Sequence, residues 1–536
     1  MQGTMMDYPL TLNHILERAG RHFPGVEIVS RLPDRSLHKH TYADFYRRAR
    51  ALAEVLLGLG LRRGDRVATL MWNHYVHMEA YFGTPAGGGI VHTLNLRLSP
   101  SDLAFVANHA GGRFLIVDDV LLPVYEKFRA EANFERVVVV PLTGRPVAEG
   151  YLDYEALLRE AKGNLTYPSL DEREGAAMCY TSGTTGRPKG VLYSHRALVL
   201  HSFAILLADC FALTERDVVL PVVPMFHANA WGIPFAAPMV GAKLVLPGPF
   251  LDPESLLDLA ESAQVTFAAG VTTVWMGIAD ALEKCPGRWR LVPGMRVGVG
   301  GSAAPEALIR RLDRQGLRPI NAFGMTESTP VATWCNLMPQ MDNWDDGARY
   351  GARSRQGRAL PFVDLCVAGE RGEVPWDGKT PGEIHLRGPW IASSYYDSPD
   401  AQGKWTDDGW LRTGDIATID SHGYIRICDR AKDLIKSGGE WISSVDLENA
   451  LMAHPGVSEA AVIAVPHTKW QERPLAVIVP SEGTAATQEE LRSLLAARFA
   501  EWQLPDAFVF VPEIPHTSTG KMLKAKLREQ FKNWRW

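Results

Sequence analysis

The chain has 536 residues, of which 46% are hydrophobic and 22% are charged, and its formal net charge is −5. This ordinary globular composition argues against an intrinsically disordered chain, and the length predicts two or more domains. The sequence has no dense basic block, so nucleic-acid binding has no electrostatic support.

The first part of the chain alternates predicted helices with predicted strands. Residues 41–59 carry apolar residues at helical spacing, with Thr41 as a candidate N-cap and Asp44 three positions later. Residues 90–93 and the four valines at 137–140 are predicted strands, the latter fully buried. Strands that alternate with helices indicate a parallel α/β sheet.

A loop rich in glycine and threonine follows at residues 180–190, which read Tyr-Thr-Ser-Gly-Thr-Thr-Gly-Arg-Pro-Lys-Gly. Glycines let backbone amides come close to a ligand, and successive amides form an anion-binding nest. Hydroxyls and a lysine ammonium add donors for phosphate oxygens. The candidate phosphate ligands are Thr181, Ser182, Gly183, Thr184, Thr185, Gly186 and Lys189.

Two other interpretations of this loop are weaker. A Walker A P-loop has Gly-x-x-x-x-Gly-Lys-[Ser/Thr] between a strand and a helix. Here Gly190 follows Lys189, and residues 176–180 and 191–194 are both predicted strands. A flexible hairpin tip would not need hydroxyls, glycines and cations at this density.

The loop resembles the phosphate-binding signature of the adenylate-forming superfamily, which contains acyl-CoA synthetases, luciferases and peptide-synthetase adenylation domains. Further motifs over nearly the whole chain fit this superfamily, and the fatty acyl-CoA synthetases are the most similar. The resemblance implies an α/β protein with a large N-terminal domain of parallel α/β sheets plus a β-rich subdomain, and a small α+β C-terminal domain joined by a hinge. It also implies ATP, Mg²⁺ and coenzyme A.

An apolar segment follows a predicted strand at residues 218–223. In residues 224–232 only His227 and Asn229 are polar, and a single histidine in such surroundings is most often a core or loop residue. The resemblance instead implies that His227 lies between the ATP site and the carboxylate pocket, and that Trp231 is a gate to an apolar tunnel. A plain core aromatic is the alternative for Trp231.

Two glycine-containing motifs end predicted strands. Gly301, Ser302 and Ala303 are small residues against which, by resemblance, adenine rests. Residues 323–327 resemble the superfamily's Tyr-Gly-x-Thr-Glu, with Phe323 in place of the tyrosine, followed by Gly324. This resemblance implies that Thr326 reaches the α-phosphate and that Glu327 binds Mg²⁺ with help from Thr181, which suits the preference of Mg²⁺ for few carboxylates and phosphate oxygens.

The remaining motifs lie towards the C-terminus. Asp415, in a Thr-Gly-Asp motif, is the candidate ribose ligand, and Arg430 is expected to contact the nucleotide. By resemblance, residues 429–434 form a hinge that pivots at Lys432, between an AMP-binding domain at 1–428 and a C-terminal domain at 435–536. Asp429 replaces the common glycine before the arginine, and we expect no functional difference from it.

Within the predicted C-terminal domain, the resemblance assigns a coenzyme A-facing loop and a catalytic lysine. The loop comprises Gly438, Gly439, Glu440 and Trp441. Lys521, in a motif where His516 replaces the usual cation, is expected to neutralise charge in the adenylation step. Residues 488–500 are a predicted helix. Residues 338–351 receive no assignment.

The six cysteines are scattered, without a Cys-x-x-Cys pair, which argues against a zinc site or a disulfide framework and favours a reducing cytoplasm. No signal peptide is expected, and no stretch has the roughly 20 uncharged residues that span a bilayer. Peripheral membrane contact stays open. A homodimer is expected only by resemblance.

We therefore expect ATP-dependent activation of a medium- or long-chain fatty acid, then thioester formation with coenzyme A. The alternatives are a ligase for another acid such as an aryl acid, an acyl-AMP ligase that does not use coenzyme A, and luciferase-like oxidation. A non-catalytic nucleotide or acyl-CoA binder is disfavoured, because Lys521, Glu327 and the Gly/Thr loop are all intact.

Overall fold

The computed structural model describes residues 1, 3–181, 187–401, 403–437, 440–481, 486–516 and 522–536, and only the backbone of residue 400. Eight predicted site residues lie outside the described residues: Ser182, Gly183, Thr184, Thr185, Gly186, Gly438, Gly439 and Lys521.

The α-helices of the described residues alternate with strands through the first two thirds of the chain, as the sequence predicts. They are α1 Leu12–His22, α2 Tyr42–Gly58, α3 Tyr75–Ala86, α4 Pro100–His109, α5 Leu122–Glu126, α6 Tyr154–Glu160, α7 His195–Leu206, α8 Ile233–Val240, α9 Pro253–Ala263, α10 Thr272–Lys284, α11 Glu306–Arg314, α12 Asp346–Arg353, α13 Ser444–Leu451, α14 Gln488–Ala496 and α15 Lys524–Gln530.

The strands of the large domain and its β-rich extension are β1 Glu27–Arg31, β2 Leu37–Thr41, β3 Arg66–Leu70, β4 Ile90–Thr93, β5 Gly112–Asp118, β6 Arg136–Val140, β7 Leu152–Asp153, β8 Gly175–Tyr180, β9 Gly190–Ser194, β10 Val218–Pro221, β11 Lys243–Leu246, β12 Phe267–Val271, β13 Arg296–Gly300, β14 Arg318–Gly324, β15 Val331–Trp334, β16 Arg358–Ala359, β17 Asp364–Gly369, β18 Gly372–Glu373, β19 Gly382–Arg387, β20 Leu411–Ile419 and β21 Ile425–Arg430. The C-terminal strands are β22 Ile435–Ser437, β23 Glu440–Ile442, β24 Val457–His467, β25 Gln471–Pro480 and β26 Ala507–Phe510.

Two mainly parallel sheets form the large domain over the described residues. One has seven strands in the order β7-β6-β5-β3-β4-β8-β9, and the other has nine in the order β16-β15-β14-β13-β12-β10-β11-β1-β2. In the first sheet only the last pair, β8 with β9, is antiparallel. Buried residues of both sheets, such as Val91 and Phe267, belong to one hydrophobic core. The shared core fixes the two sheets against each other.

Local sequence sets the helix boundaries where capping residues are present. Thr41 accepts a hydrogen bond from the backbone N–H of Asp44, and the Asp44 side chain accepts from the backbone N–H of Thr41, which is the predicted capping box of α2. The apolar face of this helix, including Phe45, Leu52 and Leu56, is buried. This burial supplies most of the stability that the helix gains in the protein.

Two smaller sheets follow and complete the predicted architecture. Strands β17–β21 form an antiparallel five-stranded sheet, and β22–β26 form the sheet of the C-terminal domain, which α13 and α15 cover. The α/β fold with a large domain, a β-rich subdomain and a small α+β domain is confirmed.

The structure corrects the end of one predicted helix and assigns a segment that the sequence left without a prediction. The helix expected at 488–500 ends at Ala496, and a 3-10 turn follows at Glu501–Gln503. Residues 338–351, which had no assignment, contain a 3-10 turn at Pro339–Met341 and the start of α12, where the Asp345 side chain accepts from the backbone N–H of Ala348. The sequence did not predict this helix because it contains Gly347 and Gly351, and glycine disfavours helices. None of the helices in the described ranges combines the length and the apolar character needed to cross a bilayer.

Candidate active site

The Gly/Thr loop joins two antiparallel strands, as predicted, and not a strand to a helix. Strand β8 ends at Tyr180 and β9 begins at Gly190. Thr181 closes the base of the loop, since its backbone N–H donates to the carbonyl of Lys189 (2.9 Å) and its Oγ1 accepts from the backbone N–H of Lys189 (3.1 Å). The Lys189 ammonium lies 5.1 Å from the centre of the Tyr395 ring. This connection is not that of a Walker A P-loop.

The segment after β14 places two predicted site residues at the end of a strand. Thr326 and Glu327 form a short 3-10 turn, and both are largely buried. The carbonyl of Thr326 accepts from the Tyr193 hydroxyl (2.8 Å), and the carbonyl of Glu327 accepts from the backbone N–H of Ala392 (2.8 Å). The Glu327 carboxylate accepts a hydrogen bond from the Tyr395 hydroxyl.

Gly324 is required by close packing of the backbone at this turn. A Cβ at position 324 would lie 2.0 Å from the carbonyl oxygen of Pro330, a distance that no side chain tolerates. The glycine of the Phe-Gly-x-Thr-Glu motif is therefore required by backbone packing alone, because only glycine lacks the Cβ.

Asp415 and Arg430 lie directly opposite each other on β20 and β21. Arg430 Nε is 3.3 Å from Asp415 Oδ1, and the backbone N–H of Asp415 donates to Thr413 Oγ1 (3.1 Å). The two residues are 15 positions apart in sequence, and the antiparallel register brings them together.

A left-handed turn carries the segment after His227. Ala228, Asn229, Ala230 and Trp231 all have positive φ, between 43° and 58°, which is costly for residues with a Cβ. The side chain of Asn229 holds the turn, because it donates to the Tyr81 hydroxyl (3.0 Å) and accepts from the Cys179 thiol (3.3 Å). Strain of this kind persists only where the surroundings over-determine the conformation.

The turn directs the Trp231 indole against β13. A Cβ on Gly300 would lie 2.9 Å from Trp231 Cη2, so the glycine leaves just enough room for the ring. Trp231 is 7% exposed, while His227 is half-buried. The indole thus forms one wall of the cavity that His227 and Glu327 also line.

Three adjoining cavities surround these residues. The phosphate-side cavity, of about 340 Å³, is lined by predicted residues from five separate segments: Thr181, Lys189, His227, Trp231, Gly301, Phe323, Gly324, Thr326, Glu327 and Arg430. The interdomain cavity, of about 210 Å³, shares Gly301, Phe323, Gly324 and Arg430 with it and adds Ser302, Ala303, Asp415 and Lys432. The apolar side cavity, of about 280 Å³, meets the first at His227 and is lined by Val222, Val223, Phe226, Leu251, Val271 and Val274, together with Arg97.

Sequence reasoning missed two residues that line the phosphate-side cavity, Tyr395 and Lys404. The Lys404 ammonium donates to the carbonyl of Thr413 (3.0 Å). Burial lowers the pKa of Lys404, and the nearby carboxylates of Glu327, Asp415 and Glu383 oppose this shift. Neither residue lies in a motif that we recognised, so no sequence signal pointed to them.

The C-terminal domain contributes to the interdomain cavity. Met522, which directly follows Lys521, lines this cavity. His516 Nε2–H donates to Glu459 Oε1 (2.6 Å), and this hydrogen bond raises the pKa of His516. The imidazole is therefore biased towards the charge of the cation that it replaces. Glu440 and Trp441 are exposed residues of β23, which pairs with β22, and the Lys436 ammonium is 5.4 Å from the Trp441 ring centre.

Comparison with known protein families decides the assignment. Residues 16–396 match the model of the AMP-binding enzyme family, and residues 446–521 match the model of its C-terminal domain. The chain belongs to the AMP-binding enzyme family. The resemblance drawn from the motifs is thereby confirmed.

Relatives of this AMP-binding enzyme align along nearly its whole length. A long-chain-fatty-acid–CoA ligase of Thermus thermophilus is 53% identical over 93% of this chain and 91% of its own. A medium-chain-fatty-acid–CoA ligase of Ectopseudomonas oleovorans is 42% identical over 93% of this chain and 92% of its own. A 3-methylmercaptopropionyl-CoA ligase of Ruegeria pomeroyi is 42% identical over 94% and 93%.

A solved structure shares the fold of this AMP-binding enzyme. The anthranilate CoA ligase AuaEII in complex with anthranoyl-AMP superposes with a TM-score of 0.87 at 25% identity, covering 98% of both chains.

Proposed function

We propose that this AMP-binding enzyme activates a medium- or long-chain fatty acid as its acyl-adenylate and transfers the acyl group to coenzyme A. The enzyme is an AMP-forming acid–CoA ligase that uses ATP and coenzyme A. The length of the acid and the roles of individual residues are our proposals.

One observation carries the assignment of the site. Groups suited to phosphate, metal and ribose, from segments as distant as Thr181 and Arg430, line adjoining cavities. An ordinary surface carboxylate would be solvated, whereas Glu327 and Asp415 are 5% and 8% exposed and face these cavities. Buried charged groups that converge on a cavity are the usual mark of a functional site.

In the first half-reaction, an oxygen of the acid attacks the α-phosphorus of ATP, and the bond to pyrophosphate breaks. The Gly/Thr loop, with Thr181 and Lys189, holds the β- and γ-phosphates, while Asp415 and Arg430 hold the ribose. Lys521 approaches the carboxylate and the α-phosphate and neutralises developing charge. Positioning and charge neutralisation dominate catalysis of this kind.

Mg²⁺ fits this site as an ion that arrives with the nucleotide. In the described part of the chain, no group of three or more His, Cys, Asp or Glu side chains could hold a metal by itself. Glu327 offers one buried carboxylate beside the phosphate-side cavity, which suits an ion that takes its other ligands from phosphate oxygens and water. When bound, the ion reduces the negative charge on the phosphate oxygens.

In the second half-reaction, the thiol of coenzyme A attacks the acyl carbonyl carbon, and AMP leaves with the bonding electrons. We propose that the C-terminal domain first turns about Lys432, which withdraws Lys521 and brings the loop of Gly438, Gly439, Glu440 and Trp441 to the site. The mostly apolar lining of the apolar side cavity suits the pantetheine arm. Arg97, in the same lining, suits the phosphates of coenzyme A.

Trp231 is our candidate for the gate that controls access of the acyl tail. Its indole packs on Gly300 beside His227, at the junction between the nucleotide groups and the buried apolar helix α8. The named substrates of the relatives extend from 3-methylmercaptopropionate to long-chain fatty acids. We place this enzyme at the aliphatic, longer end because of the apolar segment 222–240.

The test is AMP release measured over a series of acids, from acetate through long-chain fatty acids to benzoate, with and without coenzyme A. A coenzyme A-dependent maximum at medium or long aliphatic chains supports the proposal. Turnover only with aryl acids would refute the fatty-acid assignment. AMP-forming activation without thioester formation would indicate an acyl-AMP ligase, and the absence of AMP with every acid would indicate a nucleotide binder.

We further propose a cytoplasmic homodimer. All six cysteines are free thiols, which fits a reducing compartment. Sedimentation equilibrium of the purified enzyme tests the oligomeric state, and co-flotation with anionic and zwitterionic vesicles tests peripheral membrane contact.

A further inference from the structure

A buried polar cluster links the predicted hinge to the C-terminal domain. We call it the hinge cluster, and it consists of Asp429 on β21, Ser444 and Glu448 on α13, and Lys524 at the start of α15. Each of the four residues is at most 8% exposed. From the sequence alone, an aspartate at position 429 is expected to have no functional consequence.

The contacts within the hinge cluster are short and directional. Asp429 Oδ2 accepts from the backbone N–H of Ser444 (2.8 Å) and from its hydroxyl (2.5 Å). Lys524 donates to the same hydroxyl and forms an ion pair with Glu448 Oε1 (2.6 Å). Asp429 therefore stands at the N-terminus of α13, where a carboxylate satisfies an otherwise unpaired N–H and interacts favourably with the helix dipole.

The hinge cluster crosses the proposed pivot at Lys432. Asp429 is paired with Ile416 of β20, so it is fixed to the β-rich sheet of the large domain. Ser444, Glu448 and Lys524 all belong to the C-terminal domain. A rotation about Lys432 would therefore break the bonds between Asp429 and Ser444 while it leaves the Glu448–Lys524 ion pair intact.

The same contacts determine where the C-terminal segment lies. Lys524 follows Lys521 by three positions, and Met522 between them lines the interdomain cavity together with Gly301, Phe323 and Asp415. The hinge cluster thus holds the C-terminal segment, residues 522–530, with its first residues facing the nucleotide cavities.

We propose that Asp429 is a positioning residue for the first half-reaction, because its carboxylate holds α13 and the C-terminal segment beside the nucleotide cavities. The proposal rests on the proposed function, in which Lys521 serves adenylation alone. Burial raises the pKa of Asp429, although Lys524 and the Ser444 bonds oppose the shift. Exposure of the carboxylate to water on rotation would relieve this burial, so the contact is reversible and does not lock the enzyme.

The test compares the two half-reactions in Asp429→Asn. Acid-dependent exchange of labelled pyrophosphate into ATP reports adenylation, and thioester formation from added acyl-adenylate reports the second step. We expect exchange to fall about 10-fold, as for loss of a hydrogen bond to a charged group, with thioester formation unchanged or faster. Equal loss in both steps, or unchanged exchange, would overturn the proposal.

Two further variants keep the test decisive. Ser444→Ala removes only the hydroxyl and keeps the backbone N–H. It should therefore shift the ratio of the two rates in the same direction, by a smaller factor. If Asp429→Asn does not fold, Ser444→Ala takes its place in the test. Asp506→Asn is the matched control, because Asp506 pairs with Arg473 wholly within the C-terminal domain (2.6 Å) and should leave the ratio unchanged. Failure of the proposed function itself would appear separately, as no pyrophosphate exchange by the unmodified enzyme with any acid.

Discussion

The Tyr395 hydroxyl donates a hydrogen bond to Glu327 Oε1, and both side chains line the phosphate-side cavity. The bond orients the carboxylate that we assign to Mg²⁺. Groups that orient a metal ligand tune metal binding although they never touch the ion.

Tyr395→Phe should therefore weaken the use of Mg²⁺ in adenylation. We expect pyrophosphate exchange to fall about 10-fold at limiting Mg²⁺, since a hydrogen bond to a buried carboxylate is lost, and to recover partly at high Mg²⁺. The measurement is the exchange rate against Mg²⁺ concentration. Tyr396→Phe is the control, because that ring packs against His109 and not against Glu327. An unaltered Mg²⁺ dependence in Tyr395→Phe would contradict the assigned role of Glu327.

Lys521→Ala should separate the two half-reactions. Loss of one preorganised electrostatic donor lowers a rate by about 10²–10³, and we expect this loss in adenylation while thioester formation from added acyl-adenylate largely survives. The exposed Lys526, five positions on, gives the control variant Lys526→Ala. An equal reduction of both half-reactions by Lys521→Ala would refute a role restricted to the first step.

The Trp231–Gly300 contact offers a double-mutant test of the gate. Gly300→Ala alone should impair activity with long acids, because the new Cβ would lie 2.9 Å from the indole. Trp231→Ala should alter acid selectivity, and in the double variant Gly300→Ala should be nearly neutral because its neighbour is gone. The measurement is kcat/KM across acid lengths. Unchanged selectivity in Trp231→Ala would show that Trp231 is a core residue and not a gate.

The sequence predicted those features that depend on neighbouring residues. The capping box of Thr41 and Asp44, and the placement of the Gly/Thr loop between two strands, follow from short-range patterns, and the structure contains both. Residue chemistry pointed to the Gly/Thr loop, and the family resemblance supplied most of the other candidate site residues. Of those that the structure describes, most line the adjoining cavities, whereas Glu440 and Trp441 are exposed residues of β23.

Features that depend on long-range pairing could not be predicted in this way. Strand β20 holds Lys404 at the site from a distance along the chain. The backbone N–H of Arg412 donates to the carbonyl of Lys404 (2.9 Å), and the Lys404 ammonium donates to the carbonyl of Thr413 (3.0 Å). The left-handed turn contains Ala230 and Trp231, residues that avoid such backbone conformations. Distant partners hold that turn in place, among them Tyr81, and no local pattern reports them.

Lys404→Met should weaken binding of the nucleotide. The ammonium lies among the carboxylates of Glu327, Asp415 and Glu383 and lines the cavity assigned to the phosphates. Its removal leaves the negative charge of these carboxylates less compensated. We therefore expect KM for ATP to rise about 10-fold, the effect expected for loss of one charge-assisted hydrogen bond. Lys404→Arg should retain part of the affinity. Lys379→Met, at an exposed lysine of the β-rich subdomain, is the control. An unchanged KM would show that Lys404 serves only to anchor Thr413.

The hinge cluster predicts how stability depends on pH. Burial raises the pKa of Glu448 from 4.5 to about 7, although the Lys524 ammonium opposes the shift. Between these two values the folded protein retains a proton that the unfolded chain has released. The free energy of unfolding therefore falls as pH rises through this window and levels off above it.

Glu448→Gln removes this titration, so the variant should lose less stability than the unmodified enzyme between pH 5 and 7, a window bounded by the pKa values of about 4.5 and 7. A residual slope is expected from Asp429, whose pKa burial also raises. The measurement is the denaturant midpoint at several pH values, followed by tryptophan fluorescence. Asp446→Asn, on the same helix but paired with Arg426 near the surface, is the control and should keep the slope of the unmodified enzyme. Parallel pH profiles for Glu448→Gln and the unmodified enzyme would show that Glu448 is ionised throughout this range and that Lys524 compensates its burial in full.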